Sequence, residues 1–247
     1  MINPRIFVGT LSCGEAEFDE CVAAVAAQSG VTVTHHIIKN QPEFEAHNML
    51  WAAWESQKHA HDLFVKIDAD TVLNRNTALS DIYQLYLDPT VTGAQILLHD
   101  YFTDDVISGL NSFAPIVQFH PAQKRLFADH ADFGHNKVLK GDAVKHLSPI
   151  GWHGKNPSAA QAFHFGFHRK MKGQTDVLKK TAVAWRKYED DARGYALAGA
   201  ASAKWWMVGR SDYASATFQK CFAKIQNDVA RKNTIEKFID KNWGEIQ

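Results

Sequence analysis

Two carboxylates, Asp68 and Asp70, lie two residues apart directly after a short apolar segment, and this spacing is typical of a metal site. Residues 63–67 read as a short buried strand. In an extended backbone residues i and i+2 point to the same side, so both carboxylates can reach one divalent cation, which prefers oxygen ligands. The alternative is an ordinary turn, because aspartate is common where strands end.

Two strand–helix units precede this pair of aspartates. Residues 6–10 and 31–38 are predicted strands, and the second is rich in β-branched side chains. Residues 18–25 carry apolar side chains at helical spacing, and a second helix is predicted over 43–60. Because strands that alternate with helices form parallel, right-handed units, we expect an α/β fold. The aspartates would then lie at the carboxyl edge of the sheet, where ligands bind.

The rest of the chain becomes helical toward its C-terminus. A helix is predicted over 76–87, a strand over 93–98, and a strand followed by a short helix over 137–147. Residues 100–134 are predicted to form loops or short strands, and 149–158 a loop. After residue 178, two apolar stripes at helical spacing predict further helices. We therefore expect a catalytic domain over residues 1–178 and a helical C-terminal extension over 179–247.

The charge distribution divides the chain in a similar way. Its 27 Lys and Arg side chains balance 27 Asp and Glu side chains, which gives no reason to expect nucleic acid as a partner. Residues 1–168 carry 11 basic and 18 acidic side chains, whereas 169–247 carry 16 and 9. This basic segment predicts either peripheral contact with an anionic membrane or a solvated helical surface. For Trp205 and Trp206 the alternatives are a membrane or acceptor contact and packing in a core.

The cysteines and the apolar runs point to a soluble protein. Cys13, Cys21 and Cys221 are scattered, which favours a reducing compartment and signals no zinc site. The first residues, which enter a strand without a charged start and a long apolar run, argue against a secretory signal, and no segment reaches the ~20 apolar residues that a membrane span needs. We expect a cytoplasmic location, with the inner face of the membrane as the surface for any peripheral contact.

The order of these elements resembles the nucleotide-binding half of GT-A glycosyltransferases, particularly the bacterial family 2 type, over residues 5–178. The residues that carry the resemblance are Thr10 and Ser12 after the first strand, Asn48 on the second helix, and the pair Asp68 and Asp70. The resemblance implies a GT-A fold in which the two aspartates hold Mn²⁺ or Mg²⁺ on the diphosphate of a nucleotide-sugar donor.

A later segment, residues 162–169, resembles the part of these enzymes that supplies a histidine to the metal. It implies His164 as the third metal ligand and Arg169 as a phosphate contact. His164 lies between Phe163 and Phe165, as an outward-facing position of a strand would. We expect most of the 13 histidines on surfaces or in satisfied interiors.

The resemblance also implies the remaining roles. The residues implied to contact the donor are Thr10, Ser12, Asn40, Asn48, Asp68 and Arg169. Residues 137–152 resemble the stretch before the acceptor site, which implies Asp142 or His153 as the catalytic group, with Asp132 as a third candidate base. Where the family has an acidic contact to the nucleobase, residues 39–42 of this chain read Lys-Asn-Gln-Pro. A uridine diphosphate sugar is the expected donor, although this departure leaves the nucleotide open.

The predicted function is transfer of a sugar from a nucleotide donor to a hydroxyl of a glycan or glycolipid, in bacterial polysaccharide or lipopolysaccharide synthesis. Cleavage of the sugar–phosphate bond releases a diphosphate, and a cation held by carboxylates stabilises the charge that develops there. The chemistry of the two aspartates thus agrees with what the resemblance implies.

Two other functions use the same residues. Residues 68–72 also fit the D-x-D-x-[TV] motif of haloacid-dehalogenase-type phosphatases, in which Asp68 would attack phosphate. That motif normally follows the first strand of its fold, whereas here two strand–helix units precede it. A non-catalytic nucleotide-binding module is the third possibility, and metal-dependent hydrolysis of a sugar nucleotide would separate it from an enzyme. A sugar-nucleotidyltransferase is disfavoured because residues 8–14 lack a basic, glycine-rich phosphate loop.

Overall fold

The computed structural model describes residues 3–123, 131–134, 136–207 and 212–244. The chain folds into two compact units. Unit 1 comprises residues 1–100 and 106–155, and unit 2 comprises 101–105 and 156–247. This division differs from the predicted boundary after residue 178. Helix α4 (Ala159–Met171), which the prediction assigned to the first domain, packs against α6 (Asp191–Ser202) and so belongs to the second unit.

The first half of unit 1 follows the predicted order of strands and helices. The elements are β1 (Arg5–Ser12), α1 (Phe18–Ala26), β2 (Thr32–Lys39), α2 (Glu43–Gln57) with a 3-10 turn over Lys58–Ala60, and β3 (Leu63–Lys66). Strand β1 lies between β2 and β3 and pairs with both in parallel. The predicted parallel β-α-β-α-β arrangement is therefore confirmed, and Asp68 and Asp70 follow its third strand.

The second half of unit 1 extends the sheet with strands that the sequence did not all reveal. The elements are β4 (Thr71–Leu73), α3 (Ala78–Gln84) with a 3-10 turn over Leu85–Leu87, β5 (Val91–Asp100), β6 (Asp105–Phe113), β7 (Gln118–Phe119), β8 (Ala131–Asp132), β9 (Lys137–Leu139), a 3-10 helix (Gly141–Leu147) and β10 (Gly151–His153). The sheet has the order β2-β1-β3-β6-β5-β10-β4, with β9 beside β5, and β7 pairs with β8 separately. Strand β10 lies where a loop was expected, and β6 lies where loops or short strands were expected.

Alternate residues of β1 point to opposite faces of the sheet, as the pleat requires. Ile6 and Val8 pack in a cluster that includes residues of α1 and α3, while Phe7 packs on the other face against Leu50 and Trp54 of α2. The sheet is therefore covered on both faces, as expected for a parallel α/β core. This burial fixes the end of β3 and, with it, the position of the two aspartates.

Unit 2 is helical, which confirms the helical character predicted for the C-terminal part of the chain. After α4 come α5 (Thr175–Tyr188), α6, a 3-10 turn (Trp205–Met207), α7 (Ala216–Ala223) and α8 (Asp228–Trp243). None of the helices in the described ranges combines the length and the apolarity that crossing a bilayer requires.

The segment around His164 is a helix, so the strand-like environment suggested by its alternating sequence is wrong. Ser158 and Gln161 form a capping box at the start of α4. Further along, α4 and α6 approach so closely that a Cβ on Gly166 would lie 1.6 Å from the carbonyl oxygen of Ala196. Helix α4 is therefore buried on more than one side. Its apolar residues do not follow a single stripe, and around His164 they alternate with polar residues in the pattern that is typical of a strand.

Candidate active site

Asp68 and Asp70 lie in the turn that leads from β3 to β4. The amide of Ile67 donates to Gly9 O at 3.0 Å, which continues the pairing of β3 with β1, and the amide of Thr71 donates to Asp68 O at 2.9 Å. The turn that the simpler interpretation predicted is therefore present. It also places both carboxylates at the carboxyl edge of the parallel strands, so the turn and the predicted ligand position coincide.

His153 joins Asp70 at this edge through strand pairing. Strand β10 pairs antiparallel with β4, where His153 is opposite Thr71, and parallel with β5, where His153 is opposite Asp100. The amide of Gly154 also donates to Asp70 O at 2.9 Å. Three strands that are distant in sequence thus bring one histidine between two aspartates.

The two ring nitrogens of His153 have different partners. Nδ1 lies 2.6 Å from Oδ1 of Asp100, whose side chain is fully buried, and Nε2 lies 3.5 Å from Oδ2 of Asp70. A carboxylate accepts hydrogen bonds, so Nδ1 carries the proton that is donated to Asp100. Nε2 then faces the carboxylate of Asp70. A histidine held this way by a carboxylate is the usual partner arrangement of a metal-ligating histidine.

The site is electrostatically negative. Burial raises the pKa of Asp70 to about 6; His153 opposes this shift, and the charges of Asp68, Glu15 and Glu17 add to it. Burial and the same two aspartates raise the pKa of the Cys21 thiol to about 12. The pocket at the end of β3 therefore disfavours additional negative charge and favours a cation.

Asp68 differs from Asp70 because it has a basic partner. Burial by itself would raise its pKa, but the Lys66 ammonium, whose Nζ donates to Oδ1 at 3.0 Å, and the nearby His47 and His153 hold the pKa below its usual value. The side chain is 51% exposed. Asp68 is thus ionised and open to solvent, as a carboxylate that receives a ligand must be.

The residues present fit a divalent cation. Oδ1 of Asp70 is buried and has no hydrogen-bond partner, which is costly for a carboxylate oxygen unless a cation or water satisfies it. In the part of the chain that the structure describes, no three His, Cys, Asp or Glu side chains are already placed to ligate one ion. Mg²⁺ and similar ions often use one or two protein carboxylates and take further ligands from substrate phosphates, so a site of this kind agrees with the donor set.

Most residues predicted to contact the donor have partners within unit 1. Thr10 is fully buried, and its Oγ1 lies 2.9 Å from Nε2 of His35. The hydroxyl of Ser12 donates to Glu15, at 2.9 Å. Thr10 therefore faces the interior, because residues 6, 8 and 10 of β1 point to the same side.

Asn48 and Asn40 have backbone roles. The carboxamide of Asn48 accepts from the amide of Ala122 at 2.7 Å and donates to the carbonyl of the same residue at 3.4 Å. Asn40 follows β2 with a left-handed φ of 54°, and its amide donates to Ser12 O at 2.8 Å. Asn48 fixes the segment at Ala122, while the side chain of Asn40 is exposed beside the end of β1.

The predicted alternatives for the catalytic base lie in different surroundings from His153. Asp142 belongs to the 3-10 helix over Gly141–Leu147, is 89% exposed and pairs with Lys145 at 2.5 Å. The hydrogen bond from Lys145 holds the pKa of Asp142 below its usual value, which weakens it as a base. Asp132, on β8, accepts from the amide of Gly134 at 2.8 Å. Neither contact places these carboxylates with Asp70 and His153.

The two residues that the resemblance placed at the metal and phosphate belong to α4 in unit 2. The ring of His164 stacks on that of Tyr213, with a centroid separation of 4.5 Å, and contacts the tilted ring of His168 at 4.3 Å. Burial, with a smaller effect of Lys172, lowers the pKa of His164 to about 4. Arg169 donates to Gln174 at 2.8 Å and lies over the ring of Phe165.

The sequence interpretation missed Asp100, which orients His153, and the influence of Glu15, Glu17 and His47 on the aspartates. One signal for Asp100 is present in the sequence. The long apolar strand β5 ends in His99 and Asp100, much as β3 is followed by Asp68, so both strands deliver an aspartate to the same edge. The acidic residues of the turn after β1 carry no comparable pattern.

No protein-family model and no curated protein matches the chain. Among solved structures, the chain is similar to the mannosyltransferase PcManGT from Pyrobaculum calidifontis in complex with GDP-Man and Mn²⁺, with 14% identity and a TM-score of 0.44 over 99% of this chain and 89% of that chain. It is also similar to a glycosyltransferase involved in the glycosylation of the major capsid of PBCV-1, with 14% identity and a TM-score of 0.33 over 45% of this chain and 60% of that chain. The predicted α/β fold class is confirmed by the parallel strands of the central sheet and the helices that cover it.

Proposed function

We propose that the chain is a glycosyltransferase that uses a divalent metal and moves a sugar from a nucleotide donor to a hydroxyl acceptor. The observation that carries the proposal is the buried oxygen of Asp70 that lacks a partner, in a carboxylate that lies beside His153 at the carboxyl edge of the sheet. A negative pocket of this kind suits a cation that in turn binds a diphosphate.

In this proposal, Asp70 and Asp68 bind the cation together with the donor diphosphate. Bound Mn²⁺ or Mg²⁺ would supply charge stabilisation for the departing nucleoside diphosphate. Asp68 contributes an ionised, solvent-facing carboxylate, and Asp70 contributes the buried oxygen that has no other partner. Lys66 keeps Asp68 ionised and in place through its 3.0 Å hydrogen bond.

We further propose His153 as the nitrogen ligand, with Asp100 as the residue that positions it. Nε2 of His153 and Oδ2 of Asp70 are 3.5 Å apart, which is close to the separation of two neighbouring ligands that each lie ~2.1 Å from one ion. The role that the resemblance gave to His164 is the competing assignment. Comparison of the two histidine variants decides between them.

The donor in this proposal is a nucleoside diphosphate sugar, and the acceptor is a hydroxyl of a glycan or glycolipid in polysaccharide synthesis. The sequence favours uridine diphosphate, while the mannosyltransferase to which the chain is similar was solved with GDP-Man. Residues 39–42, which follow β2, offer no carboxylate to a nucleobase, so a binding panel must test both nucleotides. We assign no catalytic role to Asp142, because its carboxylate is paired with the ammonium group of Lys145.

A melting-temperature panel tests the function. The purified chain is heated with UDP, GDP, ADP or CMP, each with Mn²⁺ and with EDTA. A nucleotide at 100 times its dissociation constant stabilises the folded state by about 2.7 kcal/mol, so at least one diphosphate should raise the melting temperature in a metal-dependent way. The matched variants are Asp70→Asn, which should abolish the shift, and Asp142→Asn, which should keep it.

Turnover provides the second readout. The sugar nucleotide that carries the selected diphosphate should be hydrolysed slowly in Mn²⁺ and not in EDTA. If no diphosphate shifts the melting temperature with metal, the glycosyltransferase proposal fails. Cleavage of simple phosphate esters with trapping of beryllofluoride on Asp68 would instead establish the phosphatase.

A further inference from the structure

Two neighbouring tryptophans of unit 2 are held out to solvent. Trp205 is 86% exposed and Trp206 is 52% exposed, so the expected packing of this pair in a core is wrong. Single exposed apolar residues are common and need no explanation, but two adjacent indole rings form an apolar surface that a soluble protein rarely leaves uncovered.

The turn that carries these tryptophans is anchored on both sides. Ala203, before it, and Met207, at its end, are buried in the hydrophobic core of unit 2. The amide of Met207 donates to Lys204 O at 2.8 Å and closes the 3-10 turn. Because its two ends are packed in the core, the turn presents Trp205 and Trp206 outward as part of the folded structure and not as a frayed end.

The residue that leads into this turn is basic. Lys204 directly precedes the tryptophans and is exposed. Residues 169–247 carry 16 basic and 9 acidic side chains in all. The buried Arg193 and Arg231 are paired with aspartates, so they add no net charge to the surface of the unit.

We propose that Trp205 and Trp206, together with Lys204, form a surface that docks peripherally on an anionic phospholipid bilayer. Indole rings prefer the interface between headgroups and acyl chains, and each lysine near an anionic leaflet strengthens binding about fivefold. A second copy of the chain is the alternative occupant that the experiments below must exclude. The docking is peripheral, since no helix in the described ranges can cross a bilayer.

Docking on a bilayer goes beyond the proposed transferase activity, and each of the two can be disproved without the other. A bilayer contact on unit 2 would hold the protein where a lipid-linked acceptor is found. It does not require that the site on unit 1 binds a nucleotide, nor does nucleotide binding require the bilayer.

The test is flotation of the full chain with vesicles of phosphatidylserine and phosphatidylcholine, against vesicles of phosphatidylcholine alone. The protein should float with the anionic vesicles only. An increase in salt from about 0.1 M to about 1 M shortens the screening length from about 10 Å to about 3 Å and should release most of it. Vesicles with brominated acyl chains should quench the tryptophan fluorescence, because the indoles reach the lipid.

Variants identify the surface. Trp205→Ala combined with Trp206→Ala should weaken vesicle binding at least tenfold, and Lys204→Glu should weaken it by a smaller factor. Val229→Ala is the matched control, because Val229 is an exposed apolar residue of the same unit and should not matter. All three variants should keep the nucleotide-dependent melting shift of the parent chain.

Four results would overturn the inference. The first three are no flotation with anionic vesicles, equal binding to neutral vesicles, and full binding by the double tryptophan variant. The fourth is a dimer that dissociates when the tryptophans are replaced, since the surface would then be an interface between copies. A lost nucleotide shift with intact vesicle binding would instead remove the proposed function alone.

Discussion

His153 in unit 1 and His164 in unit 2 received different predicted roles, and the structure places them in opposite environments. His153 contacts carboxylates through both ring nitrogens, at 2.6 Å from Asp100 and 3.5 Å from Asp70. His164 stacks on the ring of Tyr213 and contacts the tilted ring of His168, on a helix packed in a core that includes Phe163 and Phe218. The contrast teaches that a motif can identify a residue type, but the groups around the imidazole decide whether its nitrogen is oriented as a ligand.

The largest effect is expected from Asp70. Replacement by Asn removes the negative charge from the buried oxygen pair and should lower turnover on the order of 10³-fold with loss of metal binding. The fold should survive in the absence of metal, because burial already raises the pKa of this carboxyl to about 6 and the neutral amide avoids that desolvation. Isothermal titration with Mn²⁺ and thermal unfolding in EDTA measure the two properties. If the variant binds Mn²⁺ as tightly as the parent chain does, Asp70 is not a metal ligand, and unit 1 no longer differs from unit 2 in this respect.

The second effect concerns acid stability and His164. Its pKa is about 4 in the folded chain and about 6.5 when unfolded, so the unfolded state binds the proton more tightly. The stability contributed by neutral His164 is complete above pH 6.5 and is lost as the pH falls toward 4, by up to about 3 kcal/mol. Burial lowers the pKa of His168 as well, which steepens the loss.

Urea unfolding at several pH values between 4 and 7.5 measures this acid dependence. His164→Phe keeps an aromatic ring in the stack and removes the titrating group, so its stability should vary less with pH than that of the parent chain. An unchanged pH dependence would show that the imidazole of His164 is not held neutral by the core.

The third effect compares the two histidines directly. His153→Ala should weaken Mn²⁺ binding by about 10–100-fold, because a ligand is lost. His164→Ala should leave Mn²⁺ binding within about twofold and should instead destabilise the chain by roughly 2 kcal/mol through lost packing. Metal titrations and urea unfolding are run on both variants. The reverse outcome, a metal defect in His164→Ala only, would restore the assignment that the resemblance implied.

The smallest effect is expected from Asp100, which acts through His153. Asp100→Asn should reduce Mn²⁺ affinity by about tenfold, since the amide can no longer fix the proton on Nδ1. The ring nitrogens of His153 should also titrate at a lower pH, as followed by nitrogen NMR, because the carboxylate that favours the charged ring is gone. An affinity loss without any change in the His153 titration would make Asp100 a packing residue.

The parts that the sequence predicted well are those governed by local patterns. Strands β1, β2 and β3, together with α1 and α2, follow from apolar periodicity, and the parallel order follows from their alternation with helices. The aspartates at the end of β3 were found because their spacing alone suggests a function. Asp68 and Asp70 therefore stand where the sequence placed them.

The parts that the sequence did not predict depend on contacts between distant segments. His153 lies on a three-residue strand inside a stretch rich in Gly and Pro, and only its pairing with β4 and β5 reveals that it is fixed. His164 was placed on a strand because a helix buried on several sides has no single apolar stripe. The partners of Asn48 and Thr10 are likewise set by tertiary packing.

The pairing of β10 with β4 also determines when the site comes into existence. Thr71 and His153 are separated by most of the chain of unit 1, so Asp70 meets His153 only after the sheet has closed around β5 and β6. Long-range pairings of this kind form late in folding, because the entropy of closing the long loop must first be overcome. Metal affinity is then a property of the completed sheet, and a chain truncated before residue 151 would keep both aspartates yet bind the ion poorly.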